Sequence, residues 1–425
     1  MRIGIVGAGT AGLTTAWLLS GSHQIVLLEE RGSPGGNART VSARTAAGTC
    51  CPDLGVHEVS DRFPLWSRLL RAAGFGPDDL LPVPASRTLR HGDGARPYLV
   101  GPHTVREDRH REVILGPAWE ALNHLFREAS RWEDEDLDGE VTVEEAADWP
   151  ALPGALRNDV IHALPASVFG CGTHDVAGLA ARGAGGFFAG PPASTSEAAL
   201  TQNVRGGAQQ LALALVDQLR TTEVHLRAQL RRLRRDGDRF TLVETSGRTH
   251  SVDAVVFATP ADAAALALRS LGGCGRLRAI LDSFTYQELV YAAHLDPFGM
   301  PRDRRHWSTT NVTVHDGWSE TTTWYGPGHD TDMFVSQITH RGARPGRQVA
   351  QTSFRTPLPT PAAHRARRRL RQCQGEGGLY FAGAYTGALD SQEAAVASAL
   401  DVARRLTRTG PRLEQLTARQ GDSSP

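Results

Sequence analysis

The chain contains no lysine: all 46 of its basic residues are arginine. No ammonium group can therefore act as a Schiff-base nucleophile or as a tuned amine base. Neither sign of charge is in excess, since 46 acidic residues balance the arginines. This argues against a general electrostatic attraction to nucleic acid or to an anionic membrane. Cysteine is sparse and odd in number, at positions 50, 51, 171, 274 and 373. No C-x-x-C and no metal-ligand spacing occurs among them, so no metal is expected, and a reduced, cytoplasmic setting is. No apolar run reaches the roughly 18 residues of a membrane span. The chain opens directly on a strand pattern, Arg2-Ile3-Gly4-Ile5-Val6. It lacks the charged n-region and apolar core of a signal peptide, and none is expected.

What is present begins with that strand. The 425 residues are enough for two domains or three. A buried strand over 2–6, a helix over 10–20 and a second strand over 24–29 make a βαβ unit. The turn between the first two elements is Gly7-Ala8-Gly9-Thr10-Ala11-Gly12. Its glycines suit a tight turn, close approach of a pyrophosphate to the backbone, and tight packing of helix on strand. The helix N-terminus then offers free N–H groups to phosphate. Glu29 ends the second strand, followed by Glu30. The Glu29 carboxylate can accept hydrogen bonds from both ribose hydroxyls, and it would repel a 2′-phosphate, which disfavours NADP. A second glycine turn follows, Gly35-Gly36, then Asn37-Ala38-Arg39. A plain NAD-binding unit has no need of it.

The run from Gly7 through Gly36 resembles the N-terminal signature of a flavoprotein superfamily: monoamine oxidases, protoporphyrinogen oxidases, phytoene desaturases and squalene-type dehydrogenases. Within it, the chain is most similar to a bacterial branch of NAD/FAD-binding, amine-oxidase-like proteins. The shared features are Asp53-Leu54-Gly55, Arg205-Gly206-Gly207 and a C-terminal Gly383-Ala384-Tyr385. The resemblance implies FAD as cofactor. Family members place arginine directly after the glycine doublet, where this chain has Asn37 and brings Arg39 two residues later. The resemblance also implies that the backbone of Leu230 flanks the adenine. The helix starting near Gln392-Glu393-Ala394-Ala395-Val396 would aim its N-terminal N–H groups at the flavin N1/O2 edge, where reduced flavin carries negative charge.

The expected fold is α/β. It comprises a Rossmann-type, glutathione-reductase-like FAD-binding domain with a β-meander, and an α+β substrate domain whose segments interleave with it. The FAD-binding domain is expected from 1–80, 203–265 and 372–410, the substrate domain from 81–202 and 266–371, and a flexible tail from 411–425. The meander is expected from segments near 224–233, 239–245 and 250–258. Gly183-Ala184-Gly185-Gly186 lacks dinucleotide-binding spacing and reads as a close-packed helix or loop, so no internal NAD(P)H domain is expected. A strongly basic helix is expected over 362–371, with a solvated face as its bland reading.

The resemblance runs residues 55–58 past the isoalloxazine, which makes His57 and Glu58 candidates, with His57 as a base or hydrogen-bonding group. Tyr385 is the second catalytic candidate. Trp307, Trp324 and Tyr325 are candidates for lining an apolar substrate pocket. Hydride transfer to flavin requires the reacting C–H close over N5 with water excluded. Many amine oxidases of the superfamily hold a water near N5 with a lysine, which this chain lacks. The expected activity is therefore desaturation or a related dehydrogenation of a small organic molecule, with electrons passing to O2 or an external acceptor. Oxidation of an amine or amino acid in natural-product tailoring, and redox-neutral isomerisation, remain the alternatives.

Overall fold

A computed structural model describes residues 1–425 except 47, 56–61, 94, 104–110, 148–152, 191–192, 197, 330, 408 and 419–425. The first strand, Arg2–Val6, is the centre of a five-stranded parallel sheet. In order across the sheet the strands are Leu379–Phe381, Ala254–Phe257, Arg2–Val6, Gln24–Glu29 and Glu223–Leu226. Residues from both ends and the middle of the chain thus build one Rossmann-type layer. The helix Thr10–Leu19 packs on it, with every residue from Ala11 to Leu19 buried. Helices Gln392–Leu406 and Gln209–Asp217 cover it from outside. A helix apolar all round is one enclosed by protein.

The meander differs in detail from the sequence expectation. Its strands are Leu230–Asp236, Arg239–Glu244 and Thr249–Val252. The expected first segment splits at Arg227, whose φ of 55° breaks the extended run. Its front part, Glu223–Leu226, joins the parallel sheet instead. The third segment likewise splits at Asp253, leaving Ala254–Phe257 to the parallel sheet.

The second unit is a seven-stranded, mainly antiparallel sheet with helices on one face. Its order is Gln348–Pro357, Tyr286–His294, Phe334–Gln337, Trp318–Trp324, Thr310–His315, Arg87–His91 and Leu99–Val100. The helical face is built on Gly116–Asp134 and Ala163–Phe169, which bury Leu122, Leu125, Trp132, Leu164 and Phe169 against Leu89 and Val312. Ala181–Gly185 is a short close-packed helix: a Cβ on Gly185 would stand 2.9 Å from the Trp132 ring. A two-stranded ribbon, Leu80–Pro84 with Leu200–Val204, lies beside these layers. Among the described residues, no helix is long and apolar enough to cross a membrane.

The expectation of a flexible tail from 411 is corrected over its first part. Pro411–Thr417 is a helix that buries Leu413 and Leu416. Arg412 donates to the Trp17 carbonyl and lies over the Trp17 ring at 4.9 Å. Two leucines three residues apart are enough to dock a polar-looking segment.

Candidate cofactor and active site

Both glycine turns lie at the carboxyl edge of the parallel sheet, the edge at which open α/β sheets bind their ligands. They touch each other. Gly35 donates its N–H to the Ala8 carbonyl at 2.9 Å, and Gly9 and Gly35 form a bridge. Gly36 has φ 61°, and a Cβ there would stand 2.9 Å from the Gly9 Cα. Gly12 brings helix against strand so closely that a Cβ would fall 1.9 Å from the Gly7 carbonyl oxygen. The helix Thr10–Leu19 begins on Gly9 with no side-chain cap and no acid in its first turn. Its leading N–H groups and dipole are thus left for an anion. These features fit the pyrophosphate of a dinucleotide.

Glu29 is 6% exposed. Its two carboxylate oxygens accept from the Ala8 N–H at 2.7 Å and the Arg31 N–H at 2.9 Å, which clamps the first glycine turn to the end of the second strand. Each oxygen keeps a further lone pair for a ribose hydroxyl. Glu30 points to solvent. Ala228 donates to the Glu29 carbonyl, and Leu230 opens the meander beside it at an irregularity in the pairing. Asn37 is exposed and Ala38 buried. Arg39 is directed across to the second unit: it donates to Thr352 and to the Gly36 carbonyl and lies over the Phe354 ring at 5.2 Å.

Sequence reasoning missed Arg31. Its guanidinium reaches the Gly36 carbonyl at 3.3 Å, which puts a positive charge at the meeting point of the two turns. The signal was its position two residues after Glu29. Asp53 was noticed as a motif residue but not given a role. It is 2% exposed, and its carboxylate accepts from Thr40 at 2.5 Å and from the Ala208 N–H at 3.0 Å. Tyr325 exchanges hydrogen bonds with the Asp53 backbone. Asp53 thereby ties the segment after the glycine turns to the helix Gln209–Asp217 and to the large sheet.

At the other end of the site, Gly383 and Ala384 follow the strand Leu379–Phe381, and the Gly383 N–H donates to Ser398 at 2.9 Å. The helix Gln392–Leu406 opens at the same carboxyl edge, capped by Ser391, which accepts from the Ala394 N–H. Ala395 and Val396 are buried in the core beneath it. The Glu393 carboxylate accepts from the Leu65 and Trp66 N–H groups at 3.0 and 2.8 Å. The helix Pro64–Ala72 starts without a side-chain cap of its own, and its unpaired N–H groups claim that carboxylate. Among the described residues, Gln392 Oε1 is buried without a partner. Tyr385 is 4% exposed, edge-on to Phe284 at 5.1 Å, with its hydroxyl likewise unpaired. Burial holds that hydroxyl well above its usual pKa. His57 and Glu58 lie outside the described residues.

The three aromatic candidates part company. Trp324 and Tyr325 line a narrow, open cleft with Thr201, Asn203, Thr323 and His329. The lining is mixed, with Val83, Pro84 and Pro327 beside the threonines. Trp307 is enclosed by Trp324, Phe334 and the Arg304 guanidinium, its indole N–H on the Pro301 carbonyl, and it belongs to the core. Two groups, Glu223 with His225 and His250, and Glu112 with Asp303 and His306, come within metal-ligating reach. Arginines already occupy both: Arg2 on Glu223, Arg248 on His225, Arg96 on Glu112 and Arg305 on Asp303. Neither is assigned a metal.

A parallel sheet with a double glycine turn, a buried acid closing its second strand and a second sheet beside it fit an FAD-dependent oxidoreductase. The sequence matches the family of flavin-containing amine oxidoreductases over residues 10–292, well over half of the chain, and the protein belongs to that family. Its cofactor is FAD. Among solved structures it is similar to a putative protoporphyrinogen oxidase from Exiguobacterium sp. 255-15, with TM-score 0.62 and 16% identity over 95% of this chain and 98% of that one. It is also similar to a cofactor-binding redesign of putrescine oxidase, with TM-score 0.63 and 15% identity over 96% and 99%. A CLA-producing fatty acid isomerase from P. acnes gives TM-score 0.63 and 14% identity over 95% and 98%. No curated protein matches the sequence.

Proposed function

We propose that the protein dehydrogenates a small or mid-sized organic molecule, removing a hydride by desaturation or a related oxidation. The observation that carries this is the pairing of a family-typical FAD cradle with a chain that has no lysine to hold a water beside the cofactor. FAD accepts the hydride and its electron pair when bound. In this reading the chain's own groups do the rest. The Thr10–Leu19 helix and Arg31 hold the pyrophosphate, Glu29 the ribose and Leu230 the adenine, while the Gln392–Leu406 helix faces the flavin N1/O2 edge. The FAD unit then comprises 1–80, 203–265 and 372–410 together with the docked helix Pro411–Thr417, and 81–202 with 266–371 enclose the substrate. O2 or an external acceptor takes the electrons onward.

The test is an anaerobic screen of the FAD-loaded protein against lipids, amines and hydroxy compounds, followed by bleaching of the visible flavin band. Bleaching by a lipid or hydroxy compound supports dehydrogenation. Bleaching by amines alone, with peroxide released in air, overturns it in favour of an amine oxidase, the reading that the putrescine oxidase likeness supports. Turnover without net bleaching favours isomerisation, which the fatty acid isomerase likeness supports.

A further inference from the structure

The basic segment of the sequence is the helix Pro361–Gln372, and the fold sets it beside two further arginine-rich elements. The meander strand Leu230–Asp236 and the short helix Gly275–Leu281 share one core with it, through Leu233, Leu277 and Leu370. Together the three elements carry eleven arginines and one acid, Asp236. Arg367 turns inward, and Arg365 pairs with Glu140 at 2.8 Å. The other nine are exposed or half-exposed, and among the described residues none of them is in an ion pair.

Named contacts hold these elements side by side. Ser270, just past the helix Ala261–Leu268, accepts from the Leu233 N–H at 3.1 Å and donates to the Leu233 carbonyl at 2.8 Å. That sets Arg269 next to the strand. Arg235 lies over the Phe240 ring at 5.1 Å, and a Cβ on Gly377 would stand 3.2 Å from its Nη1, just past the basic helix. Two thiols record the field in between: Cys274 feels Arg235 and Arg278, and Cys373 feels Arg276 and Arg369, with Glu376 the one acid acting on both. The neutrality of the whole chain thus conceals a local excess of positive charge. Like charges gathered without counter-charges repel one another, and an anionic partner relieves that repulsion.

The neighbours of the arginines say which kind of partner. Neither the three elements nor the helix Ala261–Leu268 contains an aromatic residue, so nothing there can stack on nucleic-acid bases. Leu266 is 61% exposed, three residues before Arg269 on one face of its helix. A large apolar side chain held in water beside a field of arginines suits anionic lipid. The guanidinium groups meet the phosphates, and the leucine enters the boundary between headgroups and acyl chains. We propose that this face, from the strand Leu230–Asp236 across Gly275–Leu281 to Pro361–Gln372, docks the protein on an anionic lipid surface. The proposal does not depend on the reaction proposed above.

The experiment is sedimentation of the full-length protein with vesicles of equimolar phosphatidylglycerol and phosphatidylcholine, against vesicles of phosphatidylcholine alone. Binding is expected to the first and not to the second, and it should weaken as salt is raised. Each arginine near such a surface is expected to contribute roughly fivefold to partitioning, so Arg276→Gln with Arg369→Gln should lower it about 25-fold. The same loss of charge elsewhere, Arg44→Gln with Arg220→Gln, should leave it nearly unchanged. Leu266→Ser should lower it severalfold. All five side chains are exposed, and an unchanged Tm checks the fold of each variant. No binding to the mixed vesicles overturns the proposal, as does an equal loss in the two double variants, which would mean an attraction spread over the whole molecule. Leu266→Ser binding as well as the wild type overturns it too. Binding of a double-stranded DNA fragment without binding of vesicles overturns it in favour of nucleic acid.

Discussion

Replacing Glu29 by glutamine tests how the cradle is built with the least change of shape. The carboxylate accepts two backbone N–H bonds, from Ala8 and Arg31, at 2.7 and 2.9 Å, in a site 6% exposed. Glutamine offers one carbonyl oxygen and turns an NH2 group toward the second donor. Hydrogen bonds to a charged acceptor contribute about 1.5–3 kcal/mol, and a buried N–H left unpaired costs about 1–3 kcal/mol. The apoprotein should therefore lose roughly 2–4 kcal/mol from the unit containing the turn. Ligand binding suffers separately. On the proposed placement the ribose hydroxyls donate to the same carboxylate, and half of that acceptor capacity disappears. A loss of about 2–3 kcal/mol corresponds to an FAD Kd raised roughly 30- to 150-fold.

Titration of apoprotein with FAD, followed by quenching of the flavin fluorescence, measures the Kd, and thermal unfolding of the apoprotein measures the stability. The two readouts separate the clamp from the ribose contact. Glu29→Gln with a lowered Tm but unchanged Kd would show a purely structural acid and refute the ribose assignment. If neither changes, the reasoning about the clamp itself fails.

Three further perturbations follow from the same geometry. Gly36→Ala places a methyl 2.9 Å from the Gly9 Cα at a left-handed backbone position, so the two turns must separate; FAD affinity should fall at least tenfold in the same fluorescence titration. Leu416→Ala empties a fully buried position in the helix Pro411–Thr417, and denaturant unfolding should register a loss of about 2–5 kcal/mol if that helix is docked. Asp390→Asn should stabilise the apoprotein in a pH-dependent way. The folded carboxyl sits at about 7 against the usual 3.8, so folding favours the protonated form and stability declines as pH rises from about 4 through 7. The shift amounts to about 4 kcal/mol at most, and the variant should exceed the wild type in Tm at pH 8 but match it at pH 4.

The first unit was legible because its constraints are local. Gly7 to Gly12, Glu29 and Gly35-Gly36 all fall within 36 residues, and each demand on the backbone leaves its own residue type in the sequence. Even there, the clamp from Arg31 and the redirection of Arg39 toward Thr352 were hidden. An arginine is long enough for its partner to be settled by tertiary packing rather than by position. The meander was legible as apolar runs between turns, but not its break at Arg227, since a positive φ at a non-glycine residue leaves no compositional trace. Trp307 and Trp324 show a further limit. A tryptophan in a strand satisfies a core and a pocket equally well, and only the closure of Phe334 and Arg304 around Trp307 decides between them.

Asp390 and Arg367 were invisible for a different reason. Nothing distinguishes Arg367 within Arg-Ala-Arg-Arg-Arg, where five arginines fall in seven residues from Arg365 to Arg371. Helical geometry turns most of that segment to solvent and sends Arg367 inward with Ala363, Ala366 and Leu370. A buried guanidinium is tolerated only where something of opposite charge or a set of acceptors compensates it. The described structure offers one carbonyl, that of Tyr385, and the field of one carboxyl that burial itself drives toward neutrality. That compensation is incomplete when Asp390 is protonated and improves when it ionises. The pair therefore stores a preference that depends on proton occupancy.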